Sequence, residues 1–320
     1  MIKITKKPTS DELSLELYTG TSIANAIRRI IIANIPIYAF NHFNIKKNTS
    51  RLNNDFISHR IGLVPLSDEV TEDIEFTLEK KCDSGRIFVT SSDIKSSDNK
   101  DYIQPNVLLL QLFEEEEIDM KIKVSKGIAK ENAKWSPINI VRYQYKVDEK
   151  EAKKIKMIDG KPNRTFDNDR QRIYMKNKDK TPIICMEIEG NGMRSTSKVF
   201  KKAILILKEK LIELKKDTEA SNDNKISIIQ DDIHNTLVDI LIRNENHTLG
   251  NLLKIEIAGM KGIDFCGYKM PHPLKEEVLI KLKTDLDHKE VFIKAISNLI
   301  KTFDTMLDEF KQQRKKYKTK

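Results

Sequence analysis

The stretch Thr21-Ser-Ile-Ala-Asn-Ala-Ile-Arg-Arg-Ile-Ile-Ile-Ala33 is written a second time far downstream, as His247-Thr-Leu-Gly-Asn-Leu-Leu-Lys-Ile-Glu-Ile-Ala258. Without gaps, Ser22 aligns with Thr248, Ile23 with Leu249, Ala24 with Gly250, Asn25 with Asn251, Ile27 with Leu253 and Arg28 with Lys254. Each copy reads as the start of an amphipathic helix. A hydroxyl at Ser22 or Thr248 is expected to accept a hydrogen bond from a free N–H of the first turn, and the apolar residues behind it recur at helical spacing. Ile23, Ala26, Ile27 and Ile30 form a stripe that Leu249, Leu252, Leu253 and Glu256 nearly repeat. A unit that occurs twice and has one apolar face stacks on its own kind, so the repeat favours folds in which two like modules share a core.

The surroundings of the two copies also match. In the first half, Leu13–Tyr18 alternates as a strand, Pro36 ends the helix, and Ile37, Ala39, Phe43 and Ile45 mark a second strand. A short helix follows near Asn54–Gly62; Asn54 or Asp55 is expected to cap it, Gly62 to end it, and Pro65 forbids its continuation. A strand at Ile183–Ile188, a Gly190-Asn-Gly192 turn and a helix from about Ser195 to Lys216 complete this half. The second half has strands at 236–243, Phe265–Met270 and Val278–Lys283, and a final helix from about Asp287 to Phe310 striped with Phe292, Ile296, Leu299, Phe303, Met306 and Phe310. Between Ser67 and about Lys180 the texture shifts to short strand-like runs and an acidic run at Glu114–Glu117. This reads as an inserted β-rich domain ending in a solvated loop at 148–180, with a turn at Asp159-Gly-Lys-Pro162.

The expected architecture is α+β. A discontinuous module at 1–66 and 181–216 carries the insert at 67–180, a polar linker spans 217–225, and a second module with a basic tail spans 226–320. Each module has an antiparallel sheet and two helices whose apolar faces are too wide for a small sheet to cover. The other copy is the expected cover, in an intramolecular pseudo-dimer seamed by Ile23, Ile27, Ile30, Val199, Ala203 and Leu207 against Leu249, Leu253, Leu299 and Phe303.

A net charge of +9 and a pI near 9.1 suit nucleic acid or an acidic protein surface, but 57 basic side chains stand beside 48 acidic ones, so the excess is moderate. A stand-alone basic nucleic-acid-binding protein is the competing reading; it requires a basic face interleaved with aromatics, and here the aromatics follow apolar stripes instead. Cys82, Cys185 and Cys266 are too scattered for a zinc motif or a disulfide framework, which fits a reducing compartment. No apolar run approaches the ~20 residues of a membrane span, and the polar start is no signal peptide, so an intracellular protein is expected. No phosphate loop or Asp-rich magnesium motif suggests an enzyme.

Ala24-Asn-Ala-Ile-Arg-Arg29, Asn48-Thr-Ser50, Asp55-Phe-Ile-Ser-His-Arg-Ile-Gly-Leu-Val-Pro-Leu66, Ala133-Lys-Trp-Ser-Pro137 and Glu187-Ile-Glu-Gly190 together resemble the larger α-like subunit of cellular RNA polymerases, called D in archaea. Asn246-His-Thr-Leu-Gly-Asn-Leu-Leu253 and Gly267-Tyr-Lys-Met-Pro-His-Pro-Leu274 resemble its smaller partner, L. The two are separate chains in that family, and their union in one polypeptide resembles the polymerases of nucleocytoplasmic large DNA viruses. The lysine, asparagine and isoleucine bias is compatible with an AT-rich genome. A virus factory in the host cytoplasm, or the virion, is then the implied location.

The resemblance implies a non-catalytic assembly platform that docks the two largest polymerase subunits and the small zinc-bearing subunits, with little or no direct DNA contact, no membrane and no homo-oligomer. The family's docking arginines carry over to Arg28 and Arg29, whose planar guanidinium groups suit bidentate contacts to carboxylates and carbonyls. Asn48 and Ser50 match the same signature. His59, Arg60, Gly62 and Pro65 match the segment supporting the same large-subunit surface. Gly267, Tyr268, Pro271, His272 and Pro273 match the docking turn of the second module. Lys254 and Ile255 replace the arginines there, which implies asymmetric docking. Where cellular relatives carry cysteine clusters in the insert, this one has Cys82 alone, so no metal or other cofactor is implied.

Overall fold

Outside the insert, each half of the chain builds one four-stranded antiparallel sheet, and these two sheets share a strand order. A computed structural model describes residues 1–158, 161–162, 165–177, 180–220, 222–230 and 236–318. The first half runs β1 (Ile2–Ile4), β2 (Glu12–Leu17), α1 (Thr21–Ala33), β3 (Ile37–Asn48), α2 (Asn54–Gly62), β4 (Glu75–Lys81), β5 (Arg86–Thr90), β6 (Ile94–Ser96), β7 (Leu108–Phe113), β8 (Glu117–Gly127) and β9 (Ile140–Tyr145). It continues through α3 (Glu149–Lys154), the short pair β10 (Met157–Ile158) and β11 (Lys161–Pro162), α4 (Phe166–Arg172), β12 (Ile184–Glu189) and α5 (Thr196–Glu219). The second half is β13 (Ile226–Gln230), β14 (Leu237–Arg243), α6 (His247–Ala258), β15 (Ile263–Lys269), β16 (Glu277–Thr284) and α7 (His288–Lys318).

The first sheet is ordered β1-β2-β12-β9 and the second β13-β14-β16-β15. Alternation sets the register in both. Val238, Ile240 and Ile242 of β14 stand opposite Leu282, Ile280 and Val278 of β16, and all six are buried. Leu13, Leu15 and Leu17 of β2 likewise meet Ile188, Met186 and Ile184 of β12. A one-residue slip would turn either set out to water. The buried faces of both sheets and of α1, α5, α6 and α7 merge into one apolar core. A second core fills the insert, where Phe40 and Phe76 meet edge to face at 5.0 Å.

The matched sheets locate the insert. In the second half, residues 259–262 carry the chain from α6 to β15; the equivalent connection in the first half, between α1 and β9, holds residues 34–139. The expected boundary at residue 67 is therefore displaced. β3, read as a module strand, pairs along its length with β8 in the insert sheet β3-β8-β4-β6, while Ile140–Tyr145, read as insert, is the edge of the first sheet. Register shifts at Phe40/His42 and Ile45/Lys47 break the alternation of β3, and its own pattern does not identify its partner.

Two polar stretches are more ordered than composition suggests. Residues 148–180, read as a loop, contain α3 and α4, with Ala152 fully buried; the turn expected at Asp159 and Gly160 lies outside the described residues. The expected linker begins inside α5 and contains Ser221, also outside them. The basic tail, read as frayed, continues α7 to Lys318. Glu309, Gln313 and Tyr317 lie one turn apart on one face. Ile2 N–H donates to Glu309 Oε2 at 2.9 Å, Ile4 N–H to Gln313 Oε1 at 2.6 Å, and Tyr317 O–H to Ile4 O at 3.3 Å. The tail is ordered because it takes the place of a neighbouring strand along the edge of β1. Among the described residues no helix is long and apolar enough to cross a membrane.

Within β2, Glu16 is 6% exposed although charged. Burial pushes its carboxyl up, but hydrogen bonds from Lys146 Nζ at 2.7 Å and Tyr18 O–H at 2.8 Å, with the charges of Lys146 and Lys3, hold it below the usual 4.5. Its stabilising contribution is complete above the unfolded-state pKa and is lost as pH falls through the depressed folded one. Glu16→Gln is expected to cost about 1.5–3 kcal/mol near neutrality and to flatten the acid limb of the stability curve below about pH 4.5, read by urea denaturation at several pH values. A parallel acid limb in variant and wild type would show that Glu16 does not carry it.

Candidate functional site

The helix starts are not built as the hydroxyls suggested. Gly20, at φ 83°, is the N-cap of α1 and gives no side-chain cap, while Asn246 caps α6 by accepting from Thr248 N–H at 2.9 Å. Ser22 and Thr248 lie inside their helices, so neither hydroxyl is placed to cap. Thr248 Oγ1 instead accepts from Arg29 Nε at 2.8 Å. The second arginine of the first copy thus holds the start of the helix in the second copy. Arg28 turns back on its own helix, donating from Nε and Nη2 to Asn25 Oδ1 at 3.2 and 3.0 Å, and both arginines are half-buried. At the equivalent end of α6, Ile255 is 44% exposed and lines a cavity of about 670 Å³ with Met260, Leu286 and Lys294.

Asn48 and Ser50 form a closed loop at the far end of β3. Asn48 Oδ1 accepts from Ser50 N–H at 3.0 Å and Ser50 O–H at 2.7 Å, and its Nδ2 donates to Leu52 O and Asn54 Oδ1. Asn53, one residue before the expected caps, accepts from Phe56 N–H at 2.9 Å and starts α2. Gly62 does not end the helix in a left-handed conformation; it is the last helical residue, buried beneath Lys134, and Leu63 follows in the right-handed region. Arg60 Nη2 donates to Leu108 O at 2.8 Å, His59 is exposed, and Pro65 O accepts from Gln104 N–H. Phe56 and Leu63, at 61% and 47% exposure, bracket this helix with apolar surface that its motif gave no reason to single out. Since β3 is ~40 Å long at strand rise, it separates Asn48 and Ser50 from Arg28 and Arg29.

The second-module turn lies close to the end of α1. Lys130 N–H donates to Ala33 O at 3.0 Å, and Lys130 Nζ pairs with Glu276, just beyond the turn. This bridge joins the halves where the sequence showed only a lysine in a loop. Pro271, His272 and Pro273 are exposed, His272 Nδ1 accepts from Leu274 N–H at 3.1 Å, and Leu274 stands 88% exposed at the tip. Gly267 and Tyr268 belong to β15, where the Tyr268 ring meets His247 edge to face at 5.8 Å. A β-carbon on Gly250 would lie 2.8 Å from Val278 Cγ1 and 2.9 Å from Tyr268 Cδ2. Gly250→Ala is therefore expected to destabilise by about 1–3 kcal/mol, although alanine alone favours a helix; a variant as stable as wild type in urea would refute this close approach.

Ile23, Ile27, Ile30, Val199, Ala203, Leu207, Leu249, Leu253, Leu299 and Phe303 are all buried in the larger core. α5 packs along α7, and α1 touches both α5 and α6. Phe200 and Phe310 join α5 to α7 with ring centroids 4.9 Å apart, and Lys208 Nζ reaches Asp304 Oδ1 at 2.5 Å. Phe200, which the expected seam did not include, lies on the same face of α5 as Ala203 and Leu207 and is fully buried.

Sheets, helices and inserted domain define an α+β subunit carrying insert and dimerisation domains of a known kind. Residues 43–140 match the RNA polymerase Rpb3/RpoA insert domain, and residues 238–309 the RNA polymerase Rpb3/Rpb11 dimerisation domain. The chain is 35% identical over 149 residues to DNA-directed RNA polymerase subunit Rpo3 of Methanocaldococcus jannaschii, covering 46% of this chain and 76% of that protein. It is 26% identical over 261 residues to DNA-directed RNA polymerase II subunit RPB3 of Schizosaccharomyces pombe, covering 65% and 84%. Against subunit 3 of RNA polymerases II, IV and V of Arabidopsis thaliana it is 29% identical over 196 residues, covering 47% and 61%. The chain belongs to the Rpb3/RpoA-type family of α-like RNA polymerase subunits.

Proposed function

We propose that this chain is a non-catalytic assembly platform of a DNA-directed RNA polymerase, in which two α-like modules form an intramolecular pseudo-heterodimer and dock the two largest subunits and the small zinc-bearing subunits. The first module comprises residues 1–36 and 140–219, the insert 37–139 and the second module 226–318. The observation that carries the reading is the single apolar core fed by α1 and α5 from one half and α6 and α7 from the other. In a chain that belongs to this family, such a core is the intramolecular counterpart of an interface between two subunits.

Arg28, the α2 segment with Phe56, His59, Arg60 and Leu63, and the tip at Pro271–Leu274 are the docking surfaces. Each offers exposed apolar area or partly free donors of the kind that anchors protein interfaces. Asymmetry follows from Ile255 standing where the first copy has Arg29. The union of both modules in one chain, with its lysine-, asparagine- and isoleucine-rich composition, supports a viral polymerase acting in a virus factory or virion. The tagged chain, purified from its native source, is expected to bring down the two largest polymerase subunits. Recovery of the chain without them would refute the platform.

A further inference from the structure

A cavity of about 340 Å³ lies where the segment before β2, the start of α5 and the end of α7 converge, lined by Lys7, Ser10, Ser195, Ser197, Arg314 and Tyr317 among others. None of its lining residues is acidic. α5 is 24 residues long, and the partial positive charge of its N-terminus opens here. Its N-cap, Ser195, makes no side-chain capping bond. Thr196 N–H is already used by Ser10 O at 2.9 Å, which fixes the preceding loop against the helix start. Ser197 is 2% exposed, and among the described residues its hydroxyl has no hydrogen-bond partner although it lines the cavity. A buried hydroxyl facing a cavity is a donor awaiting an acceptor. Lys7 and Arg314 face the same space, and neither has a carboxylate partner among the described residues. The Ser10 hydroxyl is turned away to Asp11 Oδ2 at 3.0 Å.

We propose that this cavity binds a phosphate-type oxyanion, either free phosphate or the dianionic end of a phosphomonoester. Ser195 and Ser197 donate from the helix start while Arg314 and Lys7 neutralise the charge. Because Arg314 belongs to the second half and the other groups to the first, the bound anion ties the two halves together.

The test titrates the whole chain with sodium phosphate against sodium chloride at matched ionic strength and follows Tm. A saturable rise of about 4 °C is expected at one hundred times the dissociation constant, with no comparable response to chloride. Arg314→Gln and Ser197→Ala are each expected to weaken phosphate binding roughly tenfold or more, whereas Lys316→Gln, an exposed charge on α7 outside the cavity, leaves it unchanged. Adenosine monophosphate acting like inorganic phosphate assigns the site to phosphomonoesters; inorganic phosphate acting alone assigns it to the free ion. Equal responses to phosphate and chloride, or unaltered affinity in Arg314→Gln, overturn the proposal. So does a response confined to a short DNA strand, which indicates a surface for phosphodiester backbone. If Arg314→Gln fails to fold, Lys7→Gln in the exposed segment carries the same test.

Discussion

Replacing Phe200 by alanine is expected to cost about 3–5 kcal/mol of unfolding free energy. Its ring is fully buried against Phe310, so truncation removes apolar area and leaves a hole between two long helices that other contacts hold in place. Phe310→Ala is expected to cost a similar amount. The double variant should lose less than the sum of the two by about 0.5–1.5 kcal/mol, the part that belongs to the ring pair itself. Trp135 is the one tryptophan of the sequence and lies in the same core, so its fluorescence reports on the first half while far-UV circular dichroism follows all helices. In urea the two signals should move together in wild type and shift together in both variants. Separate transitions in wild type, or a loss below about 1 kcal/mol in Phe200→Ala, would mean that the halves fold independently and merely touch.

Arg28→Ala is expected to cut recovery of the two largest polymerase subunits in co-purification by tenfold or more, the effect of about 1.4 kcal/mol at a docking arginine. Arg29 needs a more careful test, since its Nε bond to Thr248 Oγ1 makes it part of the internal interface. Thr248→Val removes that acceptor and keeps the guanidinium. If Arg29→Ala loses the large subunits and Thr248→Val keeps them, Arg29 docks a partner. If both lose them equally, its role is to align α1 with α6. Full recovery with Arg28→Ala would move the docking surface elsewhere, with the exposed Phe56 of α2 and Leu63 just after it as the next residues to replace.

What could be read from the sequence followed the range of the forces involved. The stripes of α1 and α6 and the alternation of β14 and β16 are local consequences of burial, and the residues chosen from them are buried in the larger core. Membership of β3 and β9 was misjudged because strand pairing is decided by distant segments, and only the matched order of the two sheets showed which strand belongs where. The arginines were visible as a pair, but nothing in their spacing distinguished Arg28, folded back on Asn25, from Arg29, reaching across to Thr248. The edge contacts of Gln313 and Tyr317 were hidden in a run of basic residues whose composition suggested fraying.

The grip of α7 on β1 also bears on how the protein is made. Ile2 and Glu309, which hydrogen-bond to each other, are separated by 307 positions in sequence. On the ribosome β1 emerges early, yet the helix that covers its open edge is synthesised long after the rest of its sheet. Until then the nascent first module presents a bare strand to any neighbouring chain, a hazard for pairing with the wrong edge. The edge of β1 is therefore covered only after its own sheet has been synthesised, and any delay between β12 and α7 prolongs its exposure.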